Sequence, residues 1–287
     1  MAETFAARER PIPRVSVVIV CHNSGPLLRH AIDSVLEQSL DGDLELILVD
    51  NASGDGQLDE LPADSRLRLL LNPDNRGFGA ACNQAAAIAR GRFMLLLNPD
   101  CQLPSDALSR LLSLREVEGV DVLGARLLNA DGSLQAASYR RDPRPLRAIR
   151  QAISGSAADI ALDTSGDVTD VEAISGALML METSRFRELG GFDEGFRLHV
   201  EDLDLCRRAR EAGLRVAVAN RVEVTHAKGA SSKARPVWVE WQKHRGMWRY
   251  FRKHDALSTP LLLRPLLWLG MWAHFALAAP LAWWRAR

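Results

Sequence analysis

Apolar positions along the chain fall into short β-branched runs, set apart by polar turns and by longer segments with helical spacing. The first run, VSVVIVC at 15–21, suits a strand buried on both faces of a parallel sheet, where neither face must meet water. His22-Asn23-Ser24-Gly25-Pro26 follows as a turn, with Asn23 or Ser24 as helix N-cap and Pro26 in the first helical turn. Leu28, Ile32, Val35 and Leu36 then predict a helix over 27–38. A second strand over 44–49 ends in the polar string Asp50-Asn51-Ala52-Ser53-Gly54-Asp55-Gly56. A short strand over 68–71, an Ala-rich helix over 79–90 and a strand over 93–97 come next, the last closed by Asn98-Pro99-Asp100.

Beyond Asp100 the pattern predicts a helix over 104–117 and a strand over 120–124. Residues 131–172, rich in Gly, Asp, Arg and Pro, read as a long insertion over the cleft. A strand over 174–181, a tight turn at Gly190-Gly191, a helix from about 201 to 212, and strands over 216–219 and 222–225 complete the body. The β-α-β order argues for a doubly wound α/β sheet. Ligands of such sheets sit beyond the carboxyl ends of the strands, so the polar turns after strands one, two and four are expected to face one cleft. No internal repeat or low-complexity segment is visible.

Length and composition bound the rest. A chain of 287 residues makes one large domain or two small ones at roughly 100–200 residues per domain. With 47% apolar and 25% charged residues it can build a sizeable core, which excludes wholesale disorder. Lys+Arg and Asp+Glu both number 36, which excludes a surface basic all over and made for nucleic acid. The zero conceals an asymmetry: residues 228–287 carry eleven Lys/Arg against two Asp/Glu, and all seven Trp. The expected organisation is an N-terminal extension (1–13), a body (14–231) and a helical, basic, Trp-rich tail (232–287).

Within that tail, residues 265–284 contain only His274 as an ionisable group, and as a helix they would be about 30 Å long at ~1.5 Å per residue. Pro265, Gly270 and Pro280 speak against a spanning helix. The preceding Trp238, Trp241, Trp248, Arg245, Arg249, Arg252 and Lys253 suit the headgroup layer of an anionic membrane. Surface-bound helices are the favoured expectation, with a spanning helix and a buried core or dimer helix as alternatives. Cys21, Cys82, Cys101 and Cys206 form no C-x-x-C motif and read as small buried hydrophobes of a reducing compartment. The first thirteen residues have no apolar h-region, so no secretory signal is expected.

Three acidic sites carry candidate chemistry. Asp50, at the end of strand two, has a carboxylate able to accept from a ligand imide or ribose hydroxyl; the alternative is an Asx turn that closes the strand. Asp100 sits in a Pro-fixed turn and offers an oxygen ligand of the kind Mg2+ and Mn2+ prefer, or else belongs to an ordinary N-P-D turn. His199-Val200-Glu201-Asp202-Leu203-Asp204 opens a helix, where the macrodipole favours negative charge; one of Glu201 and Asp202 is a candidate general base, and Asp204 is expected to do no more than cap.

The order and spacing of these pieces, with VSVVIVCHN, ELILVDNASGDG, NPDNRGFGAACNQA, GRFMLLLNPDC, ISGALMLMETSRFRELGGFDEGFRLHVEDLDLCRRAREAG and VTHAKGAS, resemble the family 2, GT-A-fold nucleotide-sugar glycosyltransferases, in particular the bacterial rhamnosyltransferase-like branch. The likeness covers about residues 14–231. It implies a GT-A, Rossmann-like, doubly wound mixed sheet. It also implies that His22, Asn23, Asp50 and Asn51 hold the nucleotide base and that Asn75 to Asn83 lie near ribose and diphosphate, with Arg76 forking onto phosphate oxygens. Asn98 stands where the family's D-x-D metal motif has its first Asp, leaving Asp100 as the main Mg2+ or Mn2+ ligand and His226 as a second.

Ser175 and Gly176 fall where relatives line the sugar pocket, a packed strand edge being the alternative. Asp202 is the implied base, with Glu201 touching the acceptor or bracing the helix, and Lys228 is a further implied cation at the leaving group. The implied activity is an inverting, metal-dependent transfer of L-rhamnose from dTDP-L-rhamnose, or of another hexose or galactofuranose from a UDP donor. The implied acceptor is lipid-linked or a polysaccharide, handled at the cytoplasmic face of the membrane in cell-surface glycan synthesis. The segment Arg76-Gly77-Phe78-Gly79 is not G-x-G-x-x-G, so a dinucleotide oxidoreductase is unsupported. A non-catalytic glycan- or nucleotide-binding relative is the remaining alternative.

Overall fold

The computed structural model of the chain describes residues 12–40, 44–144, 163–227 and 236–285. Strands β1 (Val15–Cys21), β2 (Leu44–Asn51), β3 (Leu67–Asn72) and β4 (Phe93–Leu97) pair in parallel in the order β3-β2-β1-β4. Helix α1 (Leu27–Leu36) connects β1 to β2, and α2 (Phe78–Ile88) connects β3 to β4. The chain winds outward to β3 and then returns to the other side of β1. That reversal opens a crevice beyond the carboxyl ends of β1 and β4.

The second half is mixed. It comprises β5 (Cys101–Gln102), α3 (Ala107–Glu118), β6 (Val122–Leu128), β7 (Val168–Asp170), β8 (Leu178–Glu182), α4 (Thr183–Glu188), α5 (Glu201–Glu211) and β9 (Val216–His226). β8 lies antiparallel between β4 and β6, β9 runs parallel to β6, and β5 and β7 both add antiparallel to β9. Helices α6 (Pro236–His254) and α7 (Leu263–Arg285) follow.

β1, β2 and β4 are buried along their whole length, as their uninterrupted apolar runs require. Alternate residues serve two cores. Val15, Val17 and Ile19 pack with α1 and α3, while Val18 and Val20 pack with α2, α4 and α5. Each large aliphatic side chain so buried contributes about 1.5–3 kcal/mol, so these two layers fix the sheet.

Several expectations are corrected. No side chain caps α1, whose N-cap is Pro26; Asn23 adopts φ 51° and uses its side chain elsewhere. The strand expected over 174–181 begins at Leu178, because Ala177 N–H donates to Ser175 Oγ and Leu178 N–H to Ser175 O, which closes a turn. The two strands expected over 216–219 and 222–225 are one. The partners of Ala125 and Arg126 on β9 jump from Ala219 to Glu223, so a bulge holds Asn220 and Arg221, the polar pair that reads as a break. The supposed insertion at 131–172 is fastened where described, by β7 and by a backbone bridge between Arg140 and Ala173; residues 145–162 lie outside the described residues.

The tail has two parts. Tyr250 of α6 is buried in the second core, and α6 is ion-paired to the body, whereas α7 lies against α6 with most of its apolar surface exposed. The principal tie is Asp142, which is 2% exposed. It accepts from Arg210 at 2.9 Å, from Arg207 and from the Tyr250 hydroxyl, joining α5 to α6. Burial opposes its charge, but the Tyr250 hydroxyl and the two guanidinium groups prevail and hold its pKa down at about 2. Asp142→Asn, which removes the buried anion shared by the half-buried Arg207 and Arg210, is expected to cost about 3 kcal/mol at pH 7. A depressed carboxylate stabilises fully above its unfolded pKa and loses that contribution as pH falls through the folded value, here between about 4 and about 2. The stability gap between wild type and Asp142→Asn, read by urea unfolding, should therefore shrink by about 2 kcal/mol between pH 5 and pH 2; a constant gap would sink the assignment.

Candidate active site

At the carboxyl ends of β1 and β2 two loops are laced together. Asn23 N–H donates to Ser53 Oγ (3.0 Å), Gly54 N–H to Asn23 Oδ1 (2.8 Å) and Gly25 N–H to Asp55 Oδ2 (2.9 Å). His22 Nδ1 lies 2.8 Å from Asn51 O, an atom that only accepts, so Nδ1 carries a proton and donates it to that carbonyl. The Asp50 carboxylate accepts Ser53 N–H at 3.1 and 3.2 Å, the Asx-type closure, and also the Cys21 thiol at 3.5 Å. Burial and the Asp50 charge push that thiol up to about 12, so Cys21 remains a thiol.

Asn51 spends its amide on the protein: Nδ2 donates to Gly77 O at 3.2 Å and Oδ1 accepts from Asn72 at 2.8 Å. Gly77 adopts φ 88°, and a Cβ there would lie 3.0 Å from Arg197 O. Arg76 beside it is exposed, with no hydrogen bond or ion pair to a described residue. Asn83 is likewise committed, clasping the backbone of Phe192 in both directions (2.8 and 2.9 Å) and Glu194 at 3.0 Å, so it locks the Gly190–Gly191 turn. Phe192 is buried in the second core and both glycines have positive φ, as their turn requires.

The Asn98-Pro99-Asp100 turn meets β9 through the short β5 pairing, Cys101 opposite His226. Asp100 Oδ1 lies 3.2 Å from His226 Nε2, and Asn98 Nδ2 lies 3.4 Å from the same ring nitrogen. The tautomer is set by Gln135. Its Nε2 donates to His226 O (2.7 Å) and Leu128 O (3.3 Å), so its Oε1 is the atom facing His226 Nδ1 at 3.0 Å. Nδ1 therefore carries a ring proton, and Nε2 is the ring atom that faces the Asp100 carboxylate. A carboxylate oxygen and an imidazole nitrogen side by side form a donor set that fits a divalent cation. Cys101 shares the cluster, but burial and the Asp100 charge push its thiol well above the ordinary range, and Sγ points at Ala177 O (3.5 Å), so it is a core residue and not a ligand.

The acidic pair opens α5 from a strained turn. His199 and Val200 have φ 63° and 74°, a left-handed conformation costly for a β-branched residue. Asp202 Oδ2 accepts from the Arg140 guanidinium and from Gly176 N–H (3.1 Å), and Oδ1 from Leu203 N–H (2.8 Å). Glu201 is buried, with Oε2 unpartnered among the described residues. Burial first, and then the neighbouring Asp202 charge, push its pKa up to about 8. Two adjacent carboxylates are thus held differently: one paired with a cation, one neutral at pH 7. Asp204, expected only to cap, is buried and bonds Arg208 and His254 at 2.8 Å and Lys253 at 2.7 Å, so it fastens α5 to α6.

One short segment joins the two halves. Ala177 O accepts Asn98 N–H at 2.9 Å, while the preceding Gly176 N–H donates to Asp202. The Asn98–Asp100 turn and Asp202 are thus held by adjacent residues, Ala177 and Gly176. Sequence reasoning missed Gln135 and Arg140. Both lie in a stretch without periodic signal, and only burial or a partner distant in sequence reveals their part. Lys228 lies outside the described residues.

The profile of the family described as Glycosyl transferase family 2 matches residues 16–163, about half the chain. The chain belongs to glycosyltransferase family 2. This glycosyltransferase is 27% identical over 241 residues to an N-acetylglucosaminyl-diphospho-decaprenol L-rhamnosyltransferase of Mycobacterium tuberculosis, covering 77% of this chain and 78% of the relative. It is 27% identical over 256 residues to the O-antigen biosynthesis protein RfbC of Myxococcus xanthus, covering 82% of this chain. The chain spans only 19% of RfbC and 25% of another relative, the uncharacterised protein y4gI of Sinorhizobium fredii. Among solved structures, the mannosyltransferase PcManGT of Pyrobaculum calidifontis, in complex with GDP-Man and Mn2+, superposes with a TM-score of 0.60 at 22% identity, over 96% of this chain and 73% of that one. The fold is GT-A, as the sequence resemblance implies.

For Glu201 the raised pKa gives a pH signature. The neutral form's stability is fully present below the unfolded pKa of about 4.5 and is lost as pH rises through about 8. Glu201→Gln, which cannot ionise, should therefore gain in melting temperature on the wild type from pH 5 to pH 8. An equal difference at both pH values would reject a buried, neutral Glu201.

Proposed function

We propose that this family 2 glycosyltransferase is an inverting, metal-dependent enzyme that moves L-rhamnose from dTDP-L-rhamnose onto a hydroxyl of a lipid-linked or polysaccharide acceptor in bacterial cell-surface glycan synthesis. The observation that carries the reading is the Gly176–Ala177 link, which hydrogen-bonds the Asn98 turn on one side and Asp202 on the other. The rhamnosyltransferase and O-antigen names among relatives favour the donor and the setting.

In this reading the laced loops carrying His22, Asn23, Asp50 and Asn51 receive the nucleotide base, with Asn51 and Asn83 acting as fixtures that shape the pocket. Arg76, exposed and unengaged, takes phosphate oxygens, and Asn98, Ser175 and Gly176 line the sugar end. Asp100 and His226 would hold Mg2+ or Mn2+, the ion in the PcManGT complex being Mn2+. Bound there, such an ion neutralises charge on the departing diphosphate. Asp202 accepts the acceptor's proton as its oxygen attacks the anomeric carbon from the face opposite the leaving group, so the configuration inverts. Glu201, neutral at pH 7, is suited to donate a hydrogen bond and unsuited to act as base.

Asp202→Asn is expected to fold normally and to lose about 10²–10⁴-fold in turnover. A thermal-shift panel of dTDP-L-rhamnose, UDP-hexoses and UDP-galactofuranose, each with and without Mn2+, tests the donor; at 100 times its dissociation constant the true donor stabilises by about 2.7 kcal/mol. Stabilisation by a UDP-sugar alone would move the donor assignment, and metal-dependent binding without any turnover would favour a binding protein.

Attachment to the cytoplasmic membrane surface belongs to the same reading. The segment Leu263–Trp284 of α7 is long and apolar enough to cross a membrane, and 6% of its most apolar window is buried. Between α6 and α7 lies an apolar groove of about 380 Å3 lined by Trp248, Arg264, Pro265, Trp268 and Leu269. Exposed Leu and Trp beside Arg245, Arg252 and Arg264 suit the interface of an anionic leaflet. Leu266→Glu with Leu277→Glu, both at exposed sites, should abolish sedimentation with phosphatidylglycerol vesicles while donor binding is kept; unchanged pelleting would refute the attachment.

A further inference from the structure

Arg140 has no place in the family resemblance and lies outside the α-helices and the strands of the sheet, yet it is held in place near the cleft. Its backbone exchanges hydrogen bonds with Ala173 in both directions at 3.0 Å. One residue before it, Tyr139 donates its hydroxyl to Asn220 Oδ1 at 2.8 Å, in the β9 bulge. Two residues after it, Asp142 is buried against α5 and α6. The segment is therefore fixed on three sides. From it the Arg140 guanidinium reaches the Asp202 carboxylate, with the two side chains 28% and 13% exposed. Ala173, its backbone partner, lies three residues ahead of Gly176, whose N–H reaches the same oxygen, Oδ2. One clip of backbone thus delivers both donors to one atom.

We infer that Arg140 is the positioning residue of the base, and that with Gly176 N–H it dictates which oxygen of Asp202 takes the proton. A carboxylate oxygen offers about two lone-pair directions. On Oδ2 both are filled, by Arg140 and Gly176; on Oδ1 one is filled, by Leu203 N–H. The incoming hydroxyl finds its acceptor at Oδ1. There the O–H bond of the nucleophile breaks and its proton binds Oδ1. The electron pair released forms the new bond to the anomeric carbon, and the pair of the old carbon–oxygen bond departs with the nucleoside diphosphate. Arg140 stays bonded to Oδ2 throughout, and its rigidity preserves an alignment in which displacement of about 1 Å costs on the order of 10²-fold in rate.

This inference rests on Asp202 being the base, and its test separates the two. In the full-length protein, Arg140→Gln and Arg140→Lys are compared with Asp202→Asn for release of dTDP from dTDP-L-rhamnose with Mn2+, water standing in for the acceptor. Amide hydrogen exchange at Gly176 is followed in parallel by NMR. The expected result for Arg140→Gln is a fall in kcat of at least about tenfold with donor KM within threefold, and a fall of similar size in protection at Gly176, with sheet amides unchanged. Arg140→Lys, which keeps the charge but not the planar fork, should recover part of both. A raised donor KM with kcat retained would make Arg140 a phosphate contact instead. Wild-type protection at Gly176 in Arg140→Gln would overturn the inference whatever the activity. Full activity of Asp202→Asn would instead remove Asp202 as base, leaving the exchange measurement to judge whether Arg140 holds that carboxylate.

Discussion

The antiparallel pairing of β8 against β4 is the constraint on which the rest of the site depends. β4 delivers the Asn98–Asp100 turn at its carboxyl end, and because β8 runs the other way, the residues that lead into it arrive at that same edge. Had β8 been parallel, Ser175–Ala177 would lie at the opposite edge of the sheet. As built, Ala177 hydrogen-bonds the turn and the residue before it, Gly176, hydrogen-bonds Asp202. Phe93–Leu97 and residues 178–181 of the pairing are buried and have no freedom to slip, since a one-residue shift would exchange the two cores.

Crowding acidic groups at one edge sets an electrostatic problem, and each is handled by a different device. Asp50 is quenched by its own turn. Asp100 faces Nε2 of an imidazole whose other ring nitrogen is held by Gln135. Asp202 is paired with a guanidinium, and Glu201, buried without one, keeps its proton. Each carboxylate of this edge thus has its own surroundings, and only Asp202 is paired with a guanidinium. The left-handed turn at His199 and Val200 is the strain that accompanies this arrangement, and Val200 is held in it by burial against α6, where Gly246 leaves room for it.

The basic tail divides between two tasks. Part of the positive charge of α6 is turned toward the body: Lys253 and His254 meet Asp204, and Arg249 and Lys253 meet Asp193 beside the glycine turn. Helix α6 is thus a structural part of the enzyme and braces the helix that carries Asp202. Among the described residues α7 makes no comparable ties, and most of its apolar surface is exposed.

The strands, the crossover helices and the family were legible in the chain because burial on both faces imposes unbroken β-branched runs, and because the polar turns that close β1, β2 and β4 must leave the sheet at one edge. Local pattern also placed the glycines of residues 190–191, whose positive φ is a property of the residue itself. The merging of two expected strands into β9, the start of β8 at Leu178 and the tie of Asp204 to α6 were not legible, since each depends on a partner distant in sequence. Gln135 and Arg140 make the point most sharply: no spacing marks them, and their parts exist only because His226 and Asp202 are folded against them. The chain alone determined which elements form and which turns are polar, since these follow from local sterics and from the exclusion of polar groups from a core. Tertiary structure alone decided which carboxylate holds a proton and which nitrogen bears one, because protonation follows from burial and neighbours, and neighbours are assigned by folding.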